Sequence, residues 1–310
     1  MNKQRILFWF SLFAVHCLLV TDVFAGPGRT GAQFLKINPS ARAAGMAGVF
    51  AGLADDAFAM YSNPAGLAKL EKTELAATYM RYFADINYGF IGYASQVKDI
   101  GVFGFGYTYL SVTDIDKRGL TDTKLGSFNA RDTSLAVSFG KKDVFPALIE
   151  HMSVGASLKV INSEIDTTIA YTAALDLAAA YSPVEKLNTC LVLQNISPGI
   201  KFKEVTDPLP LNLRLGVSYQ VLENLNIGTE FDEYFIDNKY YAAVGAEYWP
   251  IKQLALRGGY RFGYHTESLG SIAGLGLGMG FRIWSIGLDY AFVPYGDLGD
   301  THRLSFSAKF

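Results

Sequence analysis

The closing stretch Arg303-Leu304-Ser305-Phe306-Ser307-Ala308-Lys309-Phe310 reads as two faces. Leu304, Phe306, Ala308 and Phe310 share one phase, and Arg303, Ser305, Ser307 and Lys309 the other. Successive side chains leave a strand on opposite sides, so this period-two pattern marks a strand with one apolar and one wet face. Such stretches fill most of the chain. Leu211, Leu213, Leu215, Val217 and Tyr219 oppose Asn212, Arg214, Gly216 and Ser218, and Met152, Val154, Ala156, Leu158 and Val160 oppose Ser153, Gly155, Ser157 and Lys159. A soluble sandwich alternates in the same way. The start of the chain and the loop lengths weigh toward a membrane barrel, whose apolar face meets lipid.

The start looks like a secretory signal. Lys3 and Arg5 precede an apolar run over 6–20 that is short for a lasting transmembrane helix, and Val23-Phe24-Ala25 offers a cleavage site after Ala25. Residues 1–25 are therefore expected to be a signal peptide, 26–72 an N-terminal plug or hatch, and 73–310 the barrel. Cys17 would leave with the signal, so Cys190 has no partner for an intramolecular disulfide. The chain of 310 residues is 50% hydrophobic, 14% aromatic and only 18% charged, with a net charge of −2. No basic stripe exists to neutralise phosphates, which argues against nucleic acid as a partner.

About fourteen strands can be counted, over 74–83, 87–97, 101–112, 129–140, 152–163, 169–181 and 188–196, then 211–221, 224–235, 240–249, 253–264, 272–281, 283–292 and 301–310. Each is near the length a tilted strand needs to cross a bilayer. Short connections such as 98–100, 222–223 and 250–252 alternate with longer ones such as 113–128 and 197–210, although 141–151 breaks the trend. Short periplasmic turns and longer external loops are the rule for outer-membrane barrels, so both termini are expected in the periplasm. Tyr79, Tyr82, Tyr88, Tyr109, Tyr181, Tyr219, Tyr248, Trp249, Tyr264 and Tyr295 lie near strand ends, where interfacial girdles belong. The fold expected is an all-β, transmembrane, antiparallel up-and-down barrel with a small helical plug.

Lys159, Asp176, Arg214, Glu230, Arg257, Arg261 and Asp289 all fall in the polar phase of their strands. A charge facing lipid near the midplane costs roughly 2–4 kcal/mol, so these seven are expected to face the lumen. Mixed signs point to paired networks that stiffen the lumen or pin a plug, with a selectivity role as the alternative. Gly274, Gly276, Gly278 and Gly280 alternate with Leu275, Leu277 and Met279, which places the glycines on one inward face. Either wall curvature or a gap beside the plug explains them. They lack the strand-to-helix setting of a phosphate loop.

The segment before the first strand does not alternate. Asp55 or Asp56 can cap a short helix over 57–61 that Asn63-Pro64 then ends, and Ala65-Gly66 completes the turn. Its compact apolar residues have to hide, either in the lumen or in a periplasmic arm. Catalysis has no good candidates: the Ser95–Lys98 pair sits at a strand end, and no Gly-x-Ser-x-Gly occurs. His151, His265 and His302 have no ligand spacing, so neither a metal nor another cofactor is expected.

Four elements carry a family resemblance. Asn38-Pro39-Ser40-Ala41-Arg42-Ala43-Ala44-Gly45-Met46-Ala47-Gly48, Ala54-Asp55-Asp56-Ala57 and Tyr61-Ser62-Asn63-Pro64-Ala65-Gly66-Leu67 resemble the start of the PorV/PorQ family. Residues 288–303, from Leu288-Asp289-Tyr290 to Thr301-His302-Arg303, resemble its last hairpin. The Asp-Asp and Asn-Pro-Ala-Gly elements are also similar to the wider FadL group of fourteen-stranded transporters, in which the matching segment forms a luminal hatch. The resemblance implies a non-enzymatic outer-membrane barrel. Its role is either an adaptor in type IX-like protein export or passive passage of a hydrophobic small molecule. The partners implied are outer-membrane lipid, the barrel-insertion machinery that reads Phe310, and either secreted proteins and secretion components or a hydrophobic ligand. The chain is shorter than typical FadL transporters and its external loops are modest.

Overall fold

The computed structural model describes residues 28–82, 86–144, 146, 149–264, 270 and 272–310, and the expected signal peptide lies outside them. Fourteen antiparallel strands close into one barrel. In chain order the strands are β1 (Glu74–Arg81), β2 (Asn87–Val97), β3 (Gly101–Arg118), β4 (Lys124–Lys142), β5 (Met152–Ile165), β6 (Thr168–Val184) and β7 (Leu187–Ile196). After β8 (Ile200–Phe202) and β9 (Val205–Asp207), which pair only with each other, come β10 (Asn212–Leu222), β11 (Leu225–Tyr234), β12 (Lys239–Ile251), β13 (Leu254–Phe262), β14 (Leu275–Ile283), β15 (Ile286–Pro294) and β16 (Asp300–Lys309). The ring closes where β1 meets β16, with Glu74 opposite Lys309 and Arg81 opposite His302. Every edge is thereby paired, which is what a sheet surrounded by hydrocarbon requires.

Alternation sorts the faces as the sequence suggests. Leu135, Val137, Leu158, Val160, Leu288 and Leu304 are exposed on the outside, while their neighbours Ser138, Ser157, Asp289 and Arg303 are buried inside. The differences are local. The stretch 113–128 is mostly strand, because β3 and β4 run on beyond the wall as a hairpin with its turn over 119–123. The loop 197–210 carries the β8–β9 hairpin. The β14 and β15 strands lie about three residues later than the pattern indicated. Their turn falls at Trp284–Ser285, where Trp284 takes a φ of 54°. Glycines on both sides of Arg282 leave the end of β14 undefined by pattern alone.

The expected placement of the aromatic residues needs correction. Of the aromatic residues expected in girdles, Tyr79, Tyr181, Tyr219 and Tyr248 are exposed on the outer face, whereas Tyr88 is fully buried and donates to the carbonyl of Ile37 at 2.9 Å. Tyr82, Tyr264 and Tyr295 also turn inward, onto a luminal cavity. Proximity to a strand end does not reveal phase, and these tyrosines occupy the lumen side.

The described chain starts and ends at opposite ends of the barrel, and the residues before Gly28, on which the expected placement of the N-terminus depends, lie outside the described residues. Glu74, Lys309 and the short turns share one end of the barrel. Residues 30–38 sit at the other end: Gly31 donates to Pro208 at 3.0 Å, and Lys36 pairs with Asp237 in the β11–β12 turn at 2.6 Å. The chain enters at the long-loop mouth and runs the length of the barrel before β1 begins.

Candidate functional site

Between Gly28 and Thr73 the chain forms short turns rather than long helices. The first is a 3₁₀ turn, Gln33–Lys36. Helix α1 (Ala41–Gly45) is capped by Ser40, whose hydroxyl accepts from Ala43 N at 3.2 Å. Helix α2 (Ala59–Ser62) follows, then a second 3₁₀ turn, Pro64–Lys69. The expected helix over 57–61 is thus shorter and begins later. Asp56 still serves its approach, accepting from Phe58 N at 2.9 Å, while Asp55 turns to Arg42 instead. Asn63 does two jobs: Oδ1 accepts from Ala65 N at 3.1 Å, and Nδ2 donates to Ala51 O at 2.8 Å.

The segment lies within the barrel, because it meets inward-facing positions all around the ring. A Cβ added to Gly104 of β3 would stand 2.6 Å from Met60 Sδ, and one on Gly140 of β4 2.7 Å from Pro64 O. On the opposite arc, Gly216 would meet Gly52 N at 2.8 Å, Gly245 would meet Met46 O at 2.7 Å, and Gly278 would meet the Cα of Gly45 at 3.0 Å. Gly155 and Gly276 abut Ala65 and Ala44 in the same way. Wall and segment approach backbone to backbone, which a side chain would prevent. Gly276 and Gly278 of the expected stripe belong to this seat. Gly280 faces the side chains of Arg257 and Asp289, and Gly274 precedes β14 with a φ of 102°.

Charge fixes the segment as well. Arg257 of β13 pairs with Glu247 of β12 and with Asp289 of β15, at 2.8 and 2.7 Å. Glu247 in turn pairs with Arg42 of the segment at 2.8 Å, and Arg42 also holds Asp55 and Asp56. A second chain runs from Arg261 to Asp232 at 2.6 Å, from Asp232 to Arg214 at 2.7 Å, and from Arg214 to Glu230 at 3.0 Å. Glu230 then accepts from the backbone N–H groups of Phe50 and Ala51 at 2.9 and 2.8 Å. Lys159 and Asp176 pair at 2.7 Å, and Asp176 also accepts from Asn195 N at 2.7 Å, where the β6–β7 register shifts.

The structure therefore joins the seven charged wall residues into three clusters. Each cluster includes partners that sequence reading did not select. Asp232 and Glu247 sit in the inward phase of their strands and could have been found by alternation. Arg42 carries no such signal, since the segment has no period.

Within the segment, burial alone would lower the pKa of Arg42, but the carboxylates of Asp55 and Glu247 raise it well above the usual value. Burial would raise Asp55, and Arg42 outweighs that and lowers it. Asp56 is raised, chiefly by burial. Lys69 is lowered by burial, and its ammonium donates to the carbonyls of Gly52 and Leu53 at 3.2 and 2.9 Å.

Beside residues 36–48, at the long-loop mouth, lies a cavity of about 250 Å³. Tyr82, Tyr234, Tyr241, Tyr264 and Tyr295 line it together with Lys36, Arg261 and Arg303. At the other end Phe310 is exposed and donates its N–H to Thr73 O at 2.9 Å. Among the described residues no group of three or more His, Cys, Asp or Glu side chains is placed to hold a metal ion.

The family model described as type IX secretion system protein PorV matches residues 28–239. Similar solved structures include the toluene transporter TbuX of Ralstonia pickettii, 13% identical with a TM-score of 0.59, covering 88% of this chain and 98% of that one. A FadL homologue of Pseudomonas aeruginosa is also 13% identical, with a TM-score of 0.58 over 87% of this chain and 98% of its own. The CymD monoaromatic hydrocarbon channel aligns with a TM-score of 0.57 at 13% identity, over 88% and 97%. At such identity these structures show a shared fold. No curated protein matches the chain.

Proposed function

The chain belongs to the PorV family of type IX secretion system proteins and is an integral outer-membrane barrel; from that premise we propose that it is a non-enzymatic adaptor in protein export. The observation that carries this reading is the family match, which spans the luminal segment and the wall through β11. The seating of residues 44–67 against inward glycines is consistent with it, since a lumen filled by its own chain makes the rim and surface the working parts. Short turns mark the periplasmic side, so Phe310 faces the periplasm, where the insertion machinery reads it, and the long-loop mouth opens outward. The test is crosslinking in native outer membrane, followed by recovery with an antibody against the protein, which leaves Phe310 free. Enrichment of other secretion components or of secreted proteins over an unrelated barrel supports the adaptor role. Recovery of neither, at normal barrel yield, rejects it.

A second reading, passive uptake of a small molecule, is favoured by the tyrosine-lined cavity at the outward mouth. Flux into proteoliposomes tests it, and a rate no higher than in protein-free vesicles would remove it.

A further inference from the structure

We propose that the mouth cavity is a binding site for a small aromatic carboxylate. The inference deepens the second reading by naming a ligand class, and it rests on that reading of the cavity as a ligand site.

Among the described residues lining the cavity are three cations, Lys36, Arg261 and Arg303, and no acid. Lys36 is balanced by Asp237 at 2.6 Å. Arg261 has Asp232 at 2.6 Å, which together with Glu230 must also balance Arg214. Arg303 is different. It is 5% exposed, and its guanidinium donates only to neutral oxygens, Asn38 O at 2.9 Å and Tyr295 Oη at 3.1 Å. No described carboxylate pairs with it, and the Nε atoms of both Arg303 and Arg261 are buried without partners. Arginine cannot shed its proton, so a buried unpaired guanidinium is costly until an anion joins it. A carboxylate matches its planar fork better than a spherical ion does.

The rest of the lining selects the body of that anion. Tyr82 and Tyr295 stand 5.4 Å apart between ring centres, and Tyr241 and Tyr264 5.3 Å. Arg261 already lies over the Tyr241 ring at 4.7 Å. Rings at these spacings and tilts accept a further aromatic edge or face, and a cavity of about 250 Å³ limits the guest to a small molecule.

The full-length protein in detergent can be tested by equilibrium dialysis against three probes. Benzoate carries ring and charge, toluene the ring alone, and cyclohexanecarboxylate the charge alone. Benzoate should bind roughly tenfold tighter than either of the others, the worth of one charge-assisted contact. Arg303→Met should bring benzoate down to the toluene level and leave toluene unchanged, while Arg303→Lys retains part of the preference. If Arg303→Met does not fold, as judged by heat-modifiability, Tyr264→Leu should weaken benzoate and leave cyclohexanecarboxylate unaffected. Toluene binding as well as benzoate overturns the inference, as does benzoate binding that is indifferent to these substitutions. Benzoate bound with this preference but not carried into proteoliposomes would reject transport and leave the site standing.

Discussion

Arg42 of the luminal segment grips Glu247 of the barrel wall with both ends of its fork, Nε to Oε2 and Nη2 to Oε1, each at 2.8 Å. The same guanidinium holds Asp55 and Asp56, so one side chain ties two turns of the segment to β12. Arg257 shares Glu247 from the next strand, and the wall is thereby braced at the contact.

Removing one partner from such a cluster leaves buried charge uncompensated, which costs about 3–5 kcal/mol in well-buried cases. Arg42→Met should lower the temperature at which the compact electrophoretic form is lost and expose the segment to added protease. Glu247→Gln should do less, because Asp55 and Asp56 still answer Arg42. Equal resistance of Arg42→Met and the parent protein would deny the anchor.

The neighbours Asp55 and Asp56 should respond to pH with opposite sign. Arg42 lowers the pKa of Asp55 below its ordinary 3.8 against the effect of burial, so its stabilisation is present above 3.8 and lost as pH falls through the lowered value. Burial raises Asp56 above 3.8, so its protonated form favours the seated segment, and that contribution is lost as pH rises through the raised value. At pH 7, Asp55→Asn should destabilise. Asp56→Asn should be neutral or stabilising, since Asn can still accept from Phe58 N. Thermal scans of both variants at neutral and acid pH check this, and matching shifts would refute it.

The wall was legible because lipid and lumen impose opposite chemistry on alternate residues, and that code is local. Leu211 to Tyr219 sufficed to phase β10, and Asp232 and Glu247 were readable on the same rule. The segment was legible only at its turns, where Asn63 and Asp56 bond backbone within two residues of themselves. Arg42 could not be assigned, since its partners lie 13 to 205 residues away and no period points toward them. Tyr82, Tyr264 and Tyr295 were misplaced because strand ends fit both an outer girdle and an inner mouth. Ser218 shows the limit of polarity as a guide. It faces inward as expected, yet Gly52 sits against it, so an arginine there is not the mild substitution its phase suggests.

The glycine seat can be probed with adjacent residues. Gly259 faces Met46, whose carbonyl carbon lies 2.5 Å from the place a Cβ would take, and Gly258 on the outer face has only Leu277 Cδ2 at 4.0 Å. Gly259→Val should unseat the segment or cost about 1–3 kcal/mol by overpacking, while Gly258→Val should assemble normally. Similar heat-modifiability for the two would mean that the close approach carries no weight.

The lipid face makes its own demand. Leu288 is exposed on the outer wall in the middle of β15, and Ser285 lies in the turn at its end. Leu288→Arg should cost about 2–4 kcal/mol and reduce the yield of folded barrel, because hydrocarbon cannot solvate the charge. Ser285→Arg should be tolerated, being near headgroups and water. Equal yields of both in outer-membrane fractions would contradict the bilayer depth assigned to this strand.

Removing residues 33–67 tests whether the segment is what closes the barrel. The ring of strands is complete without it, since the wall's hydrogen bonds run from strand to strand and close between β1 and β16. Deletion takes Arg42 from Glu247 and two N–H groups from Glu230, but Arg257 and Arg214 stay to balance those carboxylates. Water entering the lumen would hydrate the rest, so the shortened protein should fold at lower stability. The glycines that now seat the segment would then line an open passage. In planar bilayers the deletion should raise single-channel conductance well above that of the parent, and Arg42→Met should give intermittent openings between the two. A folded deletion that stays as silent as the parent would mean that something other than this segment blocks the lumen.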